Sequence, residues 1–138
     1  MIKTITIGIF LTIQVFWDIK TKKLPFIVTL VGCITGFFFM CIQKEVSMFS
    51  MVSFVPAVVC FLFAKVSKEA IGYGDVFLIC MLGFYYSITE IIIICQIAFT
   101  ITAIIALVLL IFFRKKKSYE IPFAPFLLMG FLIEEVCI

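Results

Sequence analysis

The chain has 138 residues, 65% hydrophobic and only 14% charged, a balance that excludes an ordinary soluble domain. A formal net charge of +3, carried in short clusters between apolar runs, argues against nucleic-acid binding. The absence of histidine removes Ser-His and Cys-His catalysis and the usual metal-ligand sets. What is left is one all-α, polytopic membrane domain over residues 1–138, bathed in a lipid bilayer, with no metal or other cofactor expected.

The first apolar run, Ile2 to Trp17, lacks a small-residue cleavage site and ends in Trp-Asp followed by lysines, so it reads as a retained membrane helix. Spanning a bilayer takes about 20 residues, which carries the helix a turn past Asp18 and sets that acid at the interface. Lys20, Lys22 and Lys23 form the first connection, and Pro25 suits the opening turn of a second helix from about Leu24 to Ile42. Gly32 and Gly36 give that helix a Gly-x-x-x-Gly face for close packing. Gln43, Lys44 and Glu45 make a polar turn, and a third helix follows from Val46 to Val66 with Pro56 as a tolerated kink. Lys65, Ser67, Lys68 and Glu69 close it.

Gly72-Tyr73-Gly74-Asp75 opens a fourth helix reaching about Ser87, and Glu90 marks the next turn. A fifth, from about Ile91 to Phe113, is stopped by Arg114, Lys115, Lys116 and Lys117. The last apolar run starts near Ile121. The six cysteines, Cys33, Cys41, Cys60, Cys80, Cys95 and Cys137, stand singly without a Cys-x-x-Cys and read as small hydrophobes.

Six spans divide the connections between two membrane faces. Nine of the eleven basic residues fall on one face and only Lys3 and Lys44 on the other. The positive-inside rule then predicts both termini outside, with Asp18, Asp75, Pro122 and Pro125 gathered at the cytoplasmic face of the cell membrane.

An acid at the edge of an apolar span is costly and needs a reason. Asp18 alone fits an interfacial residue with solvated partners, and Asp75 alone fits a cap for the fourth helix. Gly72 and Gly74 remove side-chain bulk and permit unusual backbone angles beside Asp75. Together, two carboxyl groups a few ångströms apart cannot both ionise easily and share a proton. One can then act as base toward water while the other donates to a scissile carbonyl oxygen, which is aspartic-peptidase chemistry; coupled titration leaves the two roles unassigned.

The ordered set Asp18-Ile-Lys20-Thr-Lys-Lys-Leu-Pro25, Gly72-Tyr-Gly74-Asp75-Val76 and Ile121-Pro122-Phe-Ala-Pro125-Phe-Leu resembles the type IV prepilin peptidases, aspartic proteases of the Gly-x-Gly-Asp class. The resemblance implies that Asp18 and Asp75 are catalytic and that Gly72, Gly74, Lys20, Pro25, Pro122 and Pro125 shape the site or bind substrate. It also implies that the substrate is a pilin-like precursor with a short basic leader and a small residue, typically Gly, before the cut. Phe26 stands where the family commonly has Asn, Phe77 where it commonly has Lys, and Ala124 where Gly is frequent. Without the four-cysteine domain of the long bifunctional members, the chain is similar to the short forms that serve Flp/Tad-type pili or archaeal-type filaments, for which cleavage without N-methylation is expected.

Two other readings compete. A small ion or proton transporter would use Asp18 and Asp75 as a cation site, but both acids fall near one face and no acid continues a path through the second, third or fifth helix. A non-catalytic scaffold would leave the Gly-x-Gly-Asp spacing as coincidence. Oligomeric state is left open by the sequence.

Overall fold

The computed structural model describes residues 2–42, 51–66, 72–112 and 121–137, and no strand occurs among them. The chain forms α1 (Ile2–Thr21), α2 (Phe26–Ile42), a 3-10 turn (Val52–Phe54) leading into α3 (Val55–Val66), α4 (Tyr73–Leu82), α5 (Ile88–Phe112) and α6 (Ala124–Cys137). The Gln43–Glu45 turn, Lys68, Glu69 and the basic run from Arg114 to Lys117 lie outside the described residues.

By length and composition α1 and α5 could each cross a bilayer, whereas α2, the α3 segment and α4 are shorter apolar helices. The large apolar side chains of α2 and α3, such as Phe37, Phe38, Leu62 and Phe63, are exposed, while the residues these helices bury are Thr29, Gly32, Gly36, Ala57 and Ala64. Small side chains facing inward and bulky ones facing outward suit a helix bundle in lipid, where close helix approach replaces the hydrophobic drive.

At the centre of the bundle α4 buries Val76, Leu78, Ile79, Met81 and Leu82 within ten residues. All of these but Val76 share one core cluster with Ile7 and Leu11 of α1, Ile91, Ile94 and Ala98 of α5, and Leu127 and Phe131 of α6. The Gly-x-x-x-Gly face of α2 packs as expected against this element. A Cβ on Gly32 would lie 2.3 Å from Met81 Sδ, and one on Gly36 would lie 2.6 Å from both Phe84 Cβ and Tyr85 Cε2.

The fourth helix ends earlier than the apolar run does, at Leu82 instead of Ser87. Gly83 shares its N–H between the carbonyls of Ile79 and Cys80, and the N–H groups of Phe84 and Tyr85 reach back only three residues. Aromatic anchoring turns the chain there. Phe84 packs edge-on to Phe54 at 4.8 Å, and the Tyr85 hydroxyl donates to the Gly32 carbonyl at 2.9 Å. Ser87 then precedes α5, with Glu90 Oε2 accepting both its amide (2.7 Å) and its hydroxyl (2.8 Å), the glutamate half of a Ser-x-x-Glu cap.

Candidate active site

Along α1 the buried positions are Ile7, Leu11, Gln14 and Asp18, spaced four, three and four residues apart on one helix face. Asp18 is only 5% exposed. Its Oδ2 accepts the main-chain N–H of Ala124 at 3.0 Å, across 106 residues of sequence, and the Phe123 amide is a second main-chain contact. Ala124 has that N–H to give because the helix ladder of α6 starts later, with Phe126 and Leu127 both bonding back to the Phe123 carbonyl. Pro125 has no N–H of its own and fits the first turn.

Gly72, in extended conformation (φ −63°, ψ 138°), is the N-cap of α4, and Asp75 sits in the first turn. Asp75 is therefore not the cap residue; its carboxyl group reaches back to accept the Gly72 N–H instead, as an acid at that position does in a capping box. The expected role of the glycines needs a second correction. No described glycine has a positive φ, so backbone freedom is not what they supply here. Space is. A Cβ on Gly74 would lie 2.9 Å from Leu24 Cδ1 and 3.2 Å from Leu24 Cβ, and one on Gly72 would lie 3.3 Å from Asp75 Oδ2. The bare backbone lets the segment after α1 close over the start of α4.

One turn deeper, Gln14 Nε2 approaches Met81 Sδ at 3.7 Å and Gln14 Oε1 accepts the Thr29 hydroxyl at 3.3 Å, tying α1, α2 and α4 together. Above this tie Asp18 and Asp75 lie within electrostatic reach of each other. Pro122 and Pro125 flank Ala124 and are half-buried, Pro25 is half-buried with its carbonyl accepting the first α2 bonds from Val28 and Thr29, and Lys20 is exposed in the last turn of α1. Thus the acids, the Gly72–Gly74 pair and the Pro122–Pro125 segment lie at one end of the bundle, with Lys20 in the last turn of α1 and Pro25 on the connection after it. Lys22 closes α1 in the left-handed region (φ 53°), its N–H bonding to the Asp18 carbonyl at 2.8 Å.

Phe26 and Phe77 also meet, edge to face at 5.5 Å, and both are about half exposed. Two positions remarked on separately in the sequence thus form a single apolar contact beside the acids. Gln14, Thr29 and the Ala124 amide were not found by sequence reasoning. For Gln14 a signal existed, since it lies one turn before Asp18 on the same face. Among the described residues, no group of three or more His, Cys, Asp or Glu side chains is placed to hold a metal ion.

Fold and site define an all-helical membrane protein with two acids gathered at one end of its bundle. Residues 5–111 match the type IV leader peptidase family, and the chain belongs to that family; it is a peptidase. The matched stretch includes Asp18 and Asp75 and stops before Ile121–Leu127. Neither the curated proteins nor the solved structures contain a match to the chain.

Proposed function

We propose that the protein is an aspartic endopeptidase that removes a short basic leader from type IV pilin-like precursors at the cytoplasmic face of the cell membrane. The observation that carries this reading is that Asp18, bound to the Ala124 amide, and Asp75, in the first turn of α4, are held at the same end of the bundle by helices far apart in sequence. In the proposed reaction one carboxylate takes a proton from water as the water oxygen bonds to the scissile carbonyl carbon. The other carboxyl gives its proton to the carbonyl oxygen. Collapse of the resulting diol breaks the C–N bond, the departing nitrogen takes a proton, and one water is consumed for each bond cut.

The site's address follows from a topology of six spans with both termini outside, for which the nine-to-two distribution of basic residues is the support. At the cytoplasmic edge the acids reach only the segment just before a substrate's own membrane helix, so the hydrophobic stretch stays intact. A cation pathway is the poorer reading, because beyond Gln14 the buried face of α1 continues as Leu11 and Ile7, which offer no polar ligand.

The test is co-expression with pilin-like precursors, followed by mass spectrometry of the product. Cleavage between leader and hydrophobic stretch, without an added methyl group, is expected. A cut beyond the hydrophobic stretch would overturn the reading. Cysteine labelling of residues 20–23 and 65–69 from the cytoplasmic side checks the topology, and labelling from the outside would remove the shared face.

A further inference from the structure

If Asp18 is one of the two working acids, its fixed oxygen matters. We propose that the Ala124 amide at the start of α6 is a positioning group for the reaction. It pins Asp18 through Oδ2. This rests on the peptidase reading above and goes beyond it by assigning a task to the Pro122–Pro125 segment and to one atom of Asp18.

The placement of that amide is determined from several sides. Phe123 stacks on Phe99 of α5 with ring centroids 5.0 Å apart, which anchors the residue just before Ala124. Further along α6, Gly130 lies so close to α5 that an added Cβ would sit 2.6 Å from the Ile94 carbonyl oxygen, main chain against main chain. Ala124 itself is fully buried and Phe123 nearly so, at 0% and 7% exposed. An amide N–H can only donate, so Oδ2 is engaged as an acceptor, and the Phe123 amide is a second main-chain donor beside it. A donor built into a packed helix end needs no rearrangement during the reaction, which is how preorganised groups contribute to rate.

The full-length protein, labelled with 15N-alanine in detergent micelles, provides a test independent of turnover. The resonance lost in Ala124→Ser identifies the Ala124 amide, and Asp18→Ala should shift it more than any other alanine amide. An unmoved resonance would overturn the proposal and leave the peptidase reading intact. Kinetics give the second arm, using a synthetic precursor with a basic leader, a Gly before the cut and an apolar stretch after it. Ala124→Pro removes the N–H and puts a ring carbon in its place, at a first-turn position where proline's backbone angles are tolerated. It should lower kcat by about 10- to 100-fold, the worth of one hydrogen bond to a charged group, with KM within about threefold. Ala124→Ser, which keeps the N–H, should recover most of that loss. Full kcat in Ala124→Pro would sink the assignment, whereas an active Asp18→Asn would sink the peptidase reading instead.

Discussion

At the end of the bundle that carries Asp18 and Asp75, each acid takes a main-chain amide from the start of a helix: Ala124 for Asp18 and Gly72 for Asp75. At the opposite end Glu135 Oε1 accepts side-chain hydroxyls, those of Tyr86 and of Thr4, the latter at 3.3 Å, with Lys3 Nζ 5.3 Å from the centre of the Tyr86 ring. Glu90 is bound locally to Ser87, three residues back. A hydroxyl can rotate away from its acceptor at little expense, but the first amide of a helix moves only with the helix. Side-chain hydroxyls thus fasten the ends of α1 and α6, and a local amide and hydroxyl hold the turn before α5, while at the other end the Ala124 amide locks Asp18 to a helix far away in sequence. A site that must hold atoms still is built in the second way.

That contrast breaks most directly at the acids. Asp18→Asn and Asp75→Asn keep the shape and lose the proton chemistry, so each should reduce cleavage by roughly 10²- to 10⁴-fold or more in a precursor-processing assay, whereas Glu135→Gln should leave turnover within about twofold of the parent. Next is the dependence on pH. Only the singly protonated pair has both a base and an acid, so turnover should fall about tenfold per pH unit on both flanks of a bell-shaped profile. Loss in acid reflects a missing base and loss in alkali a missing acid; a flat profile across the stable range would remove the shared proton.

Smaller effects sharpen the comparison further. Gly130→Ala forces a methyl against the Ile94 carbonyl and should cost about 1–3 kcal/mol of stability, read as a lower thermal midpoint in micelles. Because α6 also delivers the Ala124 amide, activity should fall even in the fraction that is still folded. Tyr86→Phe deletes one hydroxyl at the far end and should cost about 1 kcal/mol, with cleavage of the folded fraction unchanged. A Tyr86→Phe protein that is stable but inactive would show that the two ends are not separate in function.

Much of this arrangement can be read from the residues. The first apolar run extends past Asp18 because about 20 residues are needed to span a bilayer, and α1 does end at Thr21. Gly32 and Gly36 predicted close packing, and Met81, Phe84 and Tyr85 fill the space they leave. The early end of α4 is not visible in hydropathy, since Gly83-Phe84-Tyr85-Tyr86 is nearly as apolar as the helix before it and the turn is set by tertiary contacts of the rings. The start of α5 was legible, because Ser87 and Glu90 have the spacing of a capping box, yet an apolar-run reading begins only at Ile91. Apolar patterning likewise passed over Gln14, whose partners Thr29 and Met81 come from other helices. The Asp18 to Ala124 bond joins a side chain to a main-chain group, and no residue type announces a main-chain donor.

The same bond has a consequence in time. During synthesis α1 through α5 emerge before α6, and both acids are already present once α4 has been made. Until Ala124 arrives and α6 docks on α5, the Asp18 carboxyl has no amide to hold it, so a nascent chain carries its two acids without the contact that orients one of them. Ordering of that carboxyl then coincides with closure of the bundle.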